Sequence, residues 1–410
     1  MNLINKFNRS VRLILLWNIL FCFGLSVYTV LYNLYLMEFI NLKTIGTITG
    51  TSYISFAIFS VVGGILSDRF GPRKVLQIGL LILIIGFIGG LTTKSIFFLC
   101  AWAVLIGVGQ AFTNTMFVPL LTEYSKEEER VKLFSVAFGT GNLFMFFGTL
   151  SSGVVAEKLS GLYSISTITS LQMVIFAAAT IIFISGIPLL LVKNSAILKQ
   201  KSTKGQSFSW KENKNVFSYT GVKLLEGIGT GFTIPFINLF LASRFNLNSL
   251  EISLFMSAAV FMTVIMIFVN PYITRKFGEM KILFSLQAIL IPCLIILGFS
   301  TNIWICGVCF LCFRALLFAR MPIQSKILMQ KTPESIRGLT NSAGFMASTA
   351  GIGIAGPISM AIVSKLGSFF GYGWLFTVSS ICFGLSVYLF YYVFERQHEA
   401  TSVAIRKIAN

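Results

Sequence analysis

The sequence predicts an all-α membrane protein with twelve transmembrane helices arranged as two pseudo-symmetric bundles of six. Three observations predict this class: the composition, the spacing of the apolar runs and an internal repeat. The chain has 410 residues, of which 55% are hydrophobic and only 11% are charged, and its mean hydropathy is +0.84. Soluble proteins carry about 25% charged residues. The composition therefore excludes a water-soluble enzyme.

Twelve apolar runs are long enough to cross a bilayer, because a spanning helix needs about 20 mainly apolar residues. Most of these runs contain no charged residue, but the seventh and tenth do. Numbered in chain order, the predicted spans 1 to 12 cover residues 13–36, 44–66, 75–93, 96–121, 133–156, 168–192, 216–241, 251–273, 282–300, 303–326, 340–364 and 372–394.

The loops between these runs alternate in charge. Of the 32 Lys and Arg residues, 24 lie at the termini and in one alternating set of loops, and five lie in the other set. Cytoplasmic loops carry the excess of Lys and Arg in membrane proteins. We therefore expect a multi-pass protein of the plasma membrane with both termini in the cytoplasm. The same topology explains the net charge of +18 without a nucleic-acid partner.

The longest polar segment divides the chain into two halves. We expect a six-helix bundle over 1–192, a cytoplasmic linker over 193–215, a second bundle over 216–394 and a cytoplasmic tail over 395–410. The lysines of the linker are explained by the usual excess of positive charge in cytoplasmic loops, and contact with anionic lipid is the alternative.

The two halves share landmarks at a nearly constant spacing. Gly24 and Asn33 recur 205 residues later, as Gly229 and Asn238. The strings VLYNLYL and PFINLFL surround the two asparagines, and the pair Phe70-Gly71 recurs 207 residues later as Phe277-Gly278. Because each half has an even number of spans, both halves have the same orientation in the membrane. Such repeats pack around a pseudo-two-fold axis along the membrane normal, with a substrate site between them near mid-membrane.

The seven cysteines all lie within apolar runs, which argues against a disulfide framework. Cys306, Cys309 and Cys312 have a spacing that resembles a metal-binding motif. No acid or histidine accompanies them, and the one histidine of the sequence, His398, lies in the tail. We therefore predict buried thiols on one helix and no metal.

The loop between spans 2 and 3 reads GILSDRFGPRKVL over residues 64–76. It closely resembles the signature loop of the major facilitator superfamily, G-x-L-a-D-r-x-G-r-k-x-x-l. The resemblance, together with twelve spans in two halves, covers the whole chain and implies that superfamily's fold and transport activity. It also implies that the loop's acid latches the two halves by facing the start of span 11. The predicted latch residues are Gly64, Asp68, Arg69, Gly71, Arg73 and Lys74.

The chemistry of this loop supports those roles independently. Gly64 permits close approach of two helices, and Gly71 permits a tight turn. Asp68 is surrounded by basic residues, so a local salt bridge within the turn is the alternative to a latch.

The resemblance further implies that spans 1, 4, 7 and 10 line a central cavity. A buried hydrogen bond between helices is the alternative role for any single polar residue there. The candidate substrate-cavity residues are Asn18, Tyr28, Tyr32, Asn33, Gln110, Thr113, Asn114, Glu226, Thr230, Asn238, Arg314, Arg320 and Gln324.

Charged residues inside a span must face a cavity or a partner, because exposure to lipid costs several kcal/mol. Glu226 is the one acid well inside the predicted membrane core, and we predict that it carries the coupled proton. Its depth allows a pair with Arg314 or Arg320, and Lys223 is a local competitor. A static structural pair is the alternative. Alternatively, the two arginines indicate an anionic group on the substrate.

We therefore expect a secondary active transporter that moves a small organic solute by alternating access, with proton-coupled export as the leading interpretation. No phosphate-binding glycine-rich loop occurs, so an ion gradient of protons is expected to supply the energy without a cofactor. We expect a monomer with two partners, the solute and the lipid bilayer. Import or facilitated diffusion of a polar or anionic metabolite is the alternative. A non-transporting sensor or immunity protein is a more remote one.

Overall fold

The structure is a computed structural model that describes residues 7–192, 214–332 and 337–392. The described residues fold into helices joined by short turns and contain no strand. A 3-10 turn, Glu127–Glu129, precedes span 5. Spans 1 to 6 are Arg9–Met37, Leu42–Phe70, Pro72–Thr92, Ile96–Glu123, Arg130–Tyr163 and Thr167–Leu191. Spans 8 to 10 are Ser249–Phe277, Glu279–Phe299 and Ile303–Lys331.

Span 7 is interrupted, although the sequence predicted a continuous helix over 216–241. It consists of a helix over Lys214–Gly231, a 3-10 turn over Ile234–Phe236 and a short helix over Ile237–Phe245. Pro235 lies in the turn and has no N–H group to donate within a helix. The segment before the break and the segment after it are therefore separate helices.

The last helical stretch, Arg337–Tyr391, supplies two spans. Its 55 residues would make a straight helix about 80 Å long, more than twice the thickness of the hydrocarbon core. Gly367 has φ +77° and ψ 173°, which is not helical, and separates span 11 from span 12. Eleven described helical segments are long and apolar enough to cross a membrane. The break at Gly367 makes them the twelve spans of the predicted fold.

The helices extend beyond the predicted apolar runs, because hydropathy locates the membrane core and not the helix ends. Span 5 was predicted over 133–156, but its helix continues to Tyr163. The predicted linker lies outside the described residues except for 214 and 215, and the tail 395–410 lies wholly outside them. The boundaries of the two bundles stay a prediction.

The internal repeat is visible in the backbone. Gly71 ends span 2 and begins span 3, and Gly278 does the same for spans 8 and 9 in the second half. Their φ angles are +84° and +86°, in the region that side chains other than glycine's rarely adopt. The repeated Phe-Gly pair therefore marks the same tight turn in both halves.

The two halves are in close contact at one membrane face, which we call the outer face. The opposite face, where span 1 begins, is the inner face. Near the outer face an ideal Cβ on Gly46 of span 2 would lie 2.6 Å from the carbonyl oxygen of Gly356 on span 11. An ideal Cβ on Gly153 of span 5 would collide with the carbonyl oxygen of Ser249 on span 8. Both interfaces between the halves are thus packed backbone to backbone.

The same two spans lie apart near the inner face. Gly64 follows Gly46, and Gly338 precedes Gly356, by 18 residues, which is five helical turns or about 27 Å on one helix face. Within the described part of the chain, a Cβ at Gly64 or Gly338 would meet no heavy atom within 4 Å. The halves are therefore closed at the outer face and open at the inner face.

Candidate functional site

A charged cluster lies inside the second half, centred on the carboxylate of Glu226. This residue is 3% exposed, and it is the one acid among the buried residues that the structure describes. Its Oε2 accepts a hydrogen bond from Lys223 Nζ at 2.8 Å. Its Oε1 accepts from Arg320 Nη1 at 3.0 Å and from Gln324 Nε2 at 2.6 Å. Each carboxylate oxygen therefore binds one cation, and the two cations come from two different spans.

Two glutamines complete the arrangement. Lys223 Nζ also donates to Gln324 Oε1 at 2.8 Å, and Arg320 Nη1 donates weakly to Gln287 Oε1 of span 9 at 3.4 Å. We call Lys223, Glu226, Gln287, Arg320 and Gln324 the Glu226 cluster. It contains two cations and one anion.

Helical geometry decides which arginine joins the cluster. Arg320 and Gln324 are separated by four residues and share one face of span 10, and Lys223 and Glu226 are separated by three on span 7. Arg314 precedes Arg320 by six residues, so it points about 120° away around the helix. Its guanidinium lies 5.3 Å from the ring of Phe318. The open choice between the two arginines is therefore settled in favour of Arg320.

A second polar arrangement joins span 1 to span 7 towards the outer face. Asn33 Nδ2 donates to the carbonyl oxygen of Pro235 at 2.7 Å, and Asn238 Nδ2 donates to the carbonyl oxygen of Val30 at 2.8 Å. Both the asparagines and their acceptors are related by the 205-residue repeat. We call these two reciprocal bonds the asparagine clamp. It ties the two halves together on the closed side.

A small cavity of about 80 Å³ lies beside this clamp. Tyr28 and Tyr32 line it, with their rings stacked at 4.6 Å, and Tyr28 also stacks on Phe87 of span 3 at 3.8 Å. Gln110 of span 4 contributes a polar wall. The structure thus brings these predicted residues together with Asn33, but away from the charged cluster.

The other predicted cavity residues bind carbonyls of their own or a neighbouring helix. Asn18 Nδ2 donates to Ala137 of span 5 at 3.0 Å, which joins two helices. Thr113, Asn114 and Thr230 donate to the carbonyls of Gly109, Gln110 and Glu226 on their own helices. These contacts fit the structural alternative, and a place for these four side chains in a substrate cavity stays a prediction.

The predicted latch loop is not engaged in this conformation. Asp68 is exposed and makes no hydrogen bond or ion pair with any residue that the structure describes, so the local salt bridge is absent. Arg69 lies 5.3 Å from the ring of Phe70, and Lys74 is exposed. The latch stays a prediction for a state that is closed at the inner face.

Two residues of that loop, Arg73 and Gly71, are explained locally, and the predicted role of Gly64 is not seen. Arg73 donates to the carbonyls of Leu189 and Leu190 at 3.1 and 3.0 Å, which places a cation at the carboxyl end of span 6. Gly71 makes the predicted tight turn. The predicted close helix approach at Gly64 is absent here, because its span lies apart from span 11 at the inner face.

Sequence reasoning missed two features. Gln287 joins the cluster from span 9, which was not among the four spans expected to line the cavity, although it is a polar residue in an apolar run. Cys312 is exposed, whereas Cys306 and Cys309 are buried, so the prediction of three buried thiols is wrong for Cys312. Its side chain points to the apolar surface of span 10.

The chain belongs to the major facilitator superfamily, whose family model matches residues 14–356 and again residues 223–407. The second match starts close to one repeat length after the first, as expected for two related halves. The chain is therefore a member of a superfamily of transporters and has its fold.

Similar proteins include two transporters and a tetracycline resistance protein. An uncharacterized transporter of Buchnera aphidicola subsp. Schizaphis graminum is 31% identical over 139 residues, 34% of each chain. The class H tetracycline resistance protein of Pasteurella multocida is 22% identical over 97% of this chain and 99% of its own. The solved nucleoside transporter NupG has a TM-score of 0.72 at 16% identity and covers 95% of this chain and 99% of its own. The first match thus spans about a third of its relative's length.

Proposed function

We propose that the protein exports a small organic solute across the plasma membrane by alternating access, in exchange for protons. Both termini lie in the cytoplasm in this proposal, so the inner face is cytoplasmic and the described conformation is open to the cytoplasm. The excess of Lys and Arg at the termini and in one alternating set of loops supports this orientation.

The observation that carries proton coupling is the Glu226 cluster. Glu226 is the single buried acid of the described residues, and its two cations come from spans 7 and 10. Neighbouring cations favour a carboxylate, whereas burial without them favours the neutral acid. A change in the distance between Glu226 and Arg320 would therefore bind or release a proton.

The break in span 7 supports such a change. Glu226 lies on the inner segment Lys214–Gly231, whereas the asparagine clamp holds the outer segment Ile237–Phe245. In this proposal the inner segment moves against span 10 together with span 11, on which it packs, while the outer segment stays with the first half. This would link the protonation of Glu226 to the conformation of the transporter.

The whole-length similarity to a tetracycline resistance protein supports export, since resistance by a transporter of this superfamily requires removal of the drug. The name of that relative does not identify the solute of the present chain. Import or facilitated diffusion of a polar or anionic metabolite is the second candidate, and the excess cation of the Glu226 cluster favours its anionic form.

Everted membrane vesicles test the direction and the coupling together. Respiration acidifies their interior, and a solute that is exported in exchange for protons should raise the internal pH when it is added outside. We expect at least one solute of a mixed panel to restore the fluorescence of acridine orange in vesicles with the protein and not in vesicles without it. Accumulation of the same solute by right-side-out vesicles would contradict export and favour import.

A further inference from the structure

The Glu226 cluster has one positive charge more than its own residues neutralise. Lys223 and Arg320 face a single carboxylate, and no further buried acid occurs among the residues described. An uncompensated charge inside a membrane protein is costly, and such charges mark substrate or ion pathways. The excess is a single charge, which matches a monoanion.

The cluster also has more donors than acceptors. The Nε of Arg320 and the Nε2 of Gln287 are buried and have no hydrogen-bond partner in the described structure. Arg320 and Gln287 are 2% and 3% exposed. Both Glu226 oxygens and both glutamine oxygens already accept hydrogen bonds within the cluster. Buried donors without acceptors destabilise a structure, so the site lacks an acceptor.

Lys223 is the more exposed of the two cations in the cluster. The side chain of Lys223 is 15% exposed. Lys223 follows the start of span 7 at Lys214 by nine residues, which is about 14 Å along the helix from the inner end. Of the two cations, Lys223 is therefore the nearer to the inner end of its span, since Arg320 lies eleven residues from the inner end of span 10.

Two aromatic rings flank the cations. The ring of Tyr219 lies 5.6 Å from Lys223 Nζ, and the ring of Phe383 lies 4.8 Å from the guanidinium of Arg320. Aromatic faces next to cations favour an anionic group attached to an apolar or aromatic body.

We propose that the Glu226 cluster is the anion-binding subsite of the transporter and that the solute is an organic monocarboxylate. Its carboxylate accepts from the two free donors, the Nε of Arg320 and the Nε2 of Gln287, beside the ion pairs that Glu226 already forms with Lys223 and Arg320. A planar carboxylate with two acceptor oxygens matches the guanidinium geometry. This inference rests on the proposed function, in that it names the class of solute transported.

Thermal unfolding of the purified protein in detergent tests the subsite without a gradient or transport. Benzoate is the probe, because it joins one carboxylate to one ring, and benzamide is its uncharged counterpart. A ligand raises the unfolding temperature according to its concentration relative to its Kd. At constant ionic strength we expect benzoate to raise the unfolding temperature and benzamide to leave it unchanged.

Two variants should move the affinity in opposite directions. Lys223→Gln removes the excess charge, so benzoate should bind at least about tenfold more weakly, the ratio expected for loss of a charged hydrogen bond. Glu226→Gln raises the excess to two charges and frees both cations, so benzoate should bind more tightly. Damage to the fold would weaken binding in both variants. Lys326→Gln is the matched control, because that lysine is largely exposed and pairs with Glu279 at the surface.

Equal shifts with benzoate and benzamide, or unchanged benzoate binding in Lys223→Gln, would overturn the subsite. A shift with inorganic phosphate but not with benzoate would overturn the monocarboxylate. These results are separate from those of the vesicle experiment. Solute-triggered proton release without benzoate binding would reject the subsite and leave proton-coupled export in place. Benzoate binding without any proton release would reject proton-coupled export and leave the subsite in place.

Discussion

Replacement of Gly46 by valine is expected to abolish transport and to hold the protein open at the outer face. An ideal Cβ at this position lies 2.6 Å from the carbonyl oxygen of Gly356 and 2.7 Å from Cβ of Met360. Overpacking of this kind costs about 1–3 kcal/mol, and separation of the halves relieves it. The ratio of outer-open to outer-closed molecules should therefore rise about 5- to 150-fold.

Labelling of a cysteine in the cavity beside the asparagine clamp measures this shift. Thr49 lines that cavity, so Thr49→Cys in a background without the native cysteines should react faster with an impermeant maleimide when Gly46→Val is present. Gly161→Val in span 5 is the control, because a Cβ there meets no heavy atom of the described chain within 4 Å. Gly64→Val should do the opposite and slow labelling, because it would block closure at the inner face. Equal labelling in all variants would contradict the gate.

Removal of the asparagine clamp should open the outer face without blocking the cycle. In the double variant Asn33→Ala and Asn238→Ala, both hydrogen bonds between spans 1 and 7 are lost. A buried hydrogen bond lost with its acceptor left unpaired costs about 1–3 kcal/mol. Labelling at Thr49→Cys should therefore increase at least about fivefold for each asparagine removed. Transport should slow but persist, because no bulky group prevents closure.

The repeat predicts that the two single variants have similar effects, since each removes one of two equivalent bonds. Asn142→Ala is the control for the loss of an asparagine. Asn142 is half-buried, and its Nδ2 donates to the Phe138 carbonyl on its own helix and not to another span. If the double variant is labelled no faster than Asn142→Ala, the clamp does not hold the outer face closed.

The sequence predicted the features that depend on local patterns. Apolar runs and loop charges indicated the twelve spans, and a shared spacing identified Asn33 and Asn238 as related residues before their reciprocal bonds were known. The rule that a buried charge needs a partner singled out Glu226 and left its partner open between Arg314 and Arg320, and the structure pairs it with Arg320.

The remaining features depend on contacts between distant residues or on local backbone geometry. The sequence contains Pro235, but a proline inside a span can also be accommodated as a kink, so the division of span 7 was not evident. Gln287 enters the cluster through the packing of span 9, which hydropathy does not specify. The open inner face is a property of one conformation, and composition does not select between conformations.

The coupling role of Glu226 is the central claim, and proteoliposomes with the Glu226→Gln variant test it most directly. The solute identified in everted vesicles is used in two modes, exchange of labelled for unlabelled solute and accumulation driven by an imposed proton gradient. Glu279→Gln is the matched control, because that acid pairs with Lys326 at the inner surface. We predict that Glu226→Gln retains exchange but loses gradient-driven accumulation, whereas Glu279→Gln retains both. Full gradient-driven accumulation by Glu226→Gln would contradict the account.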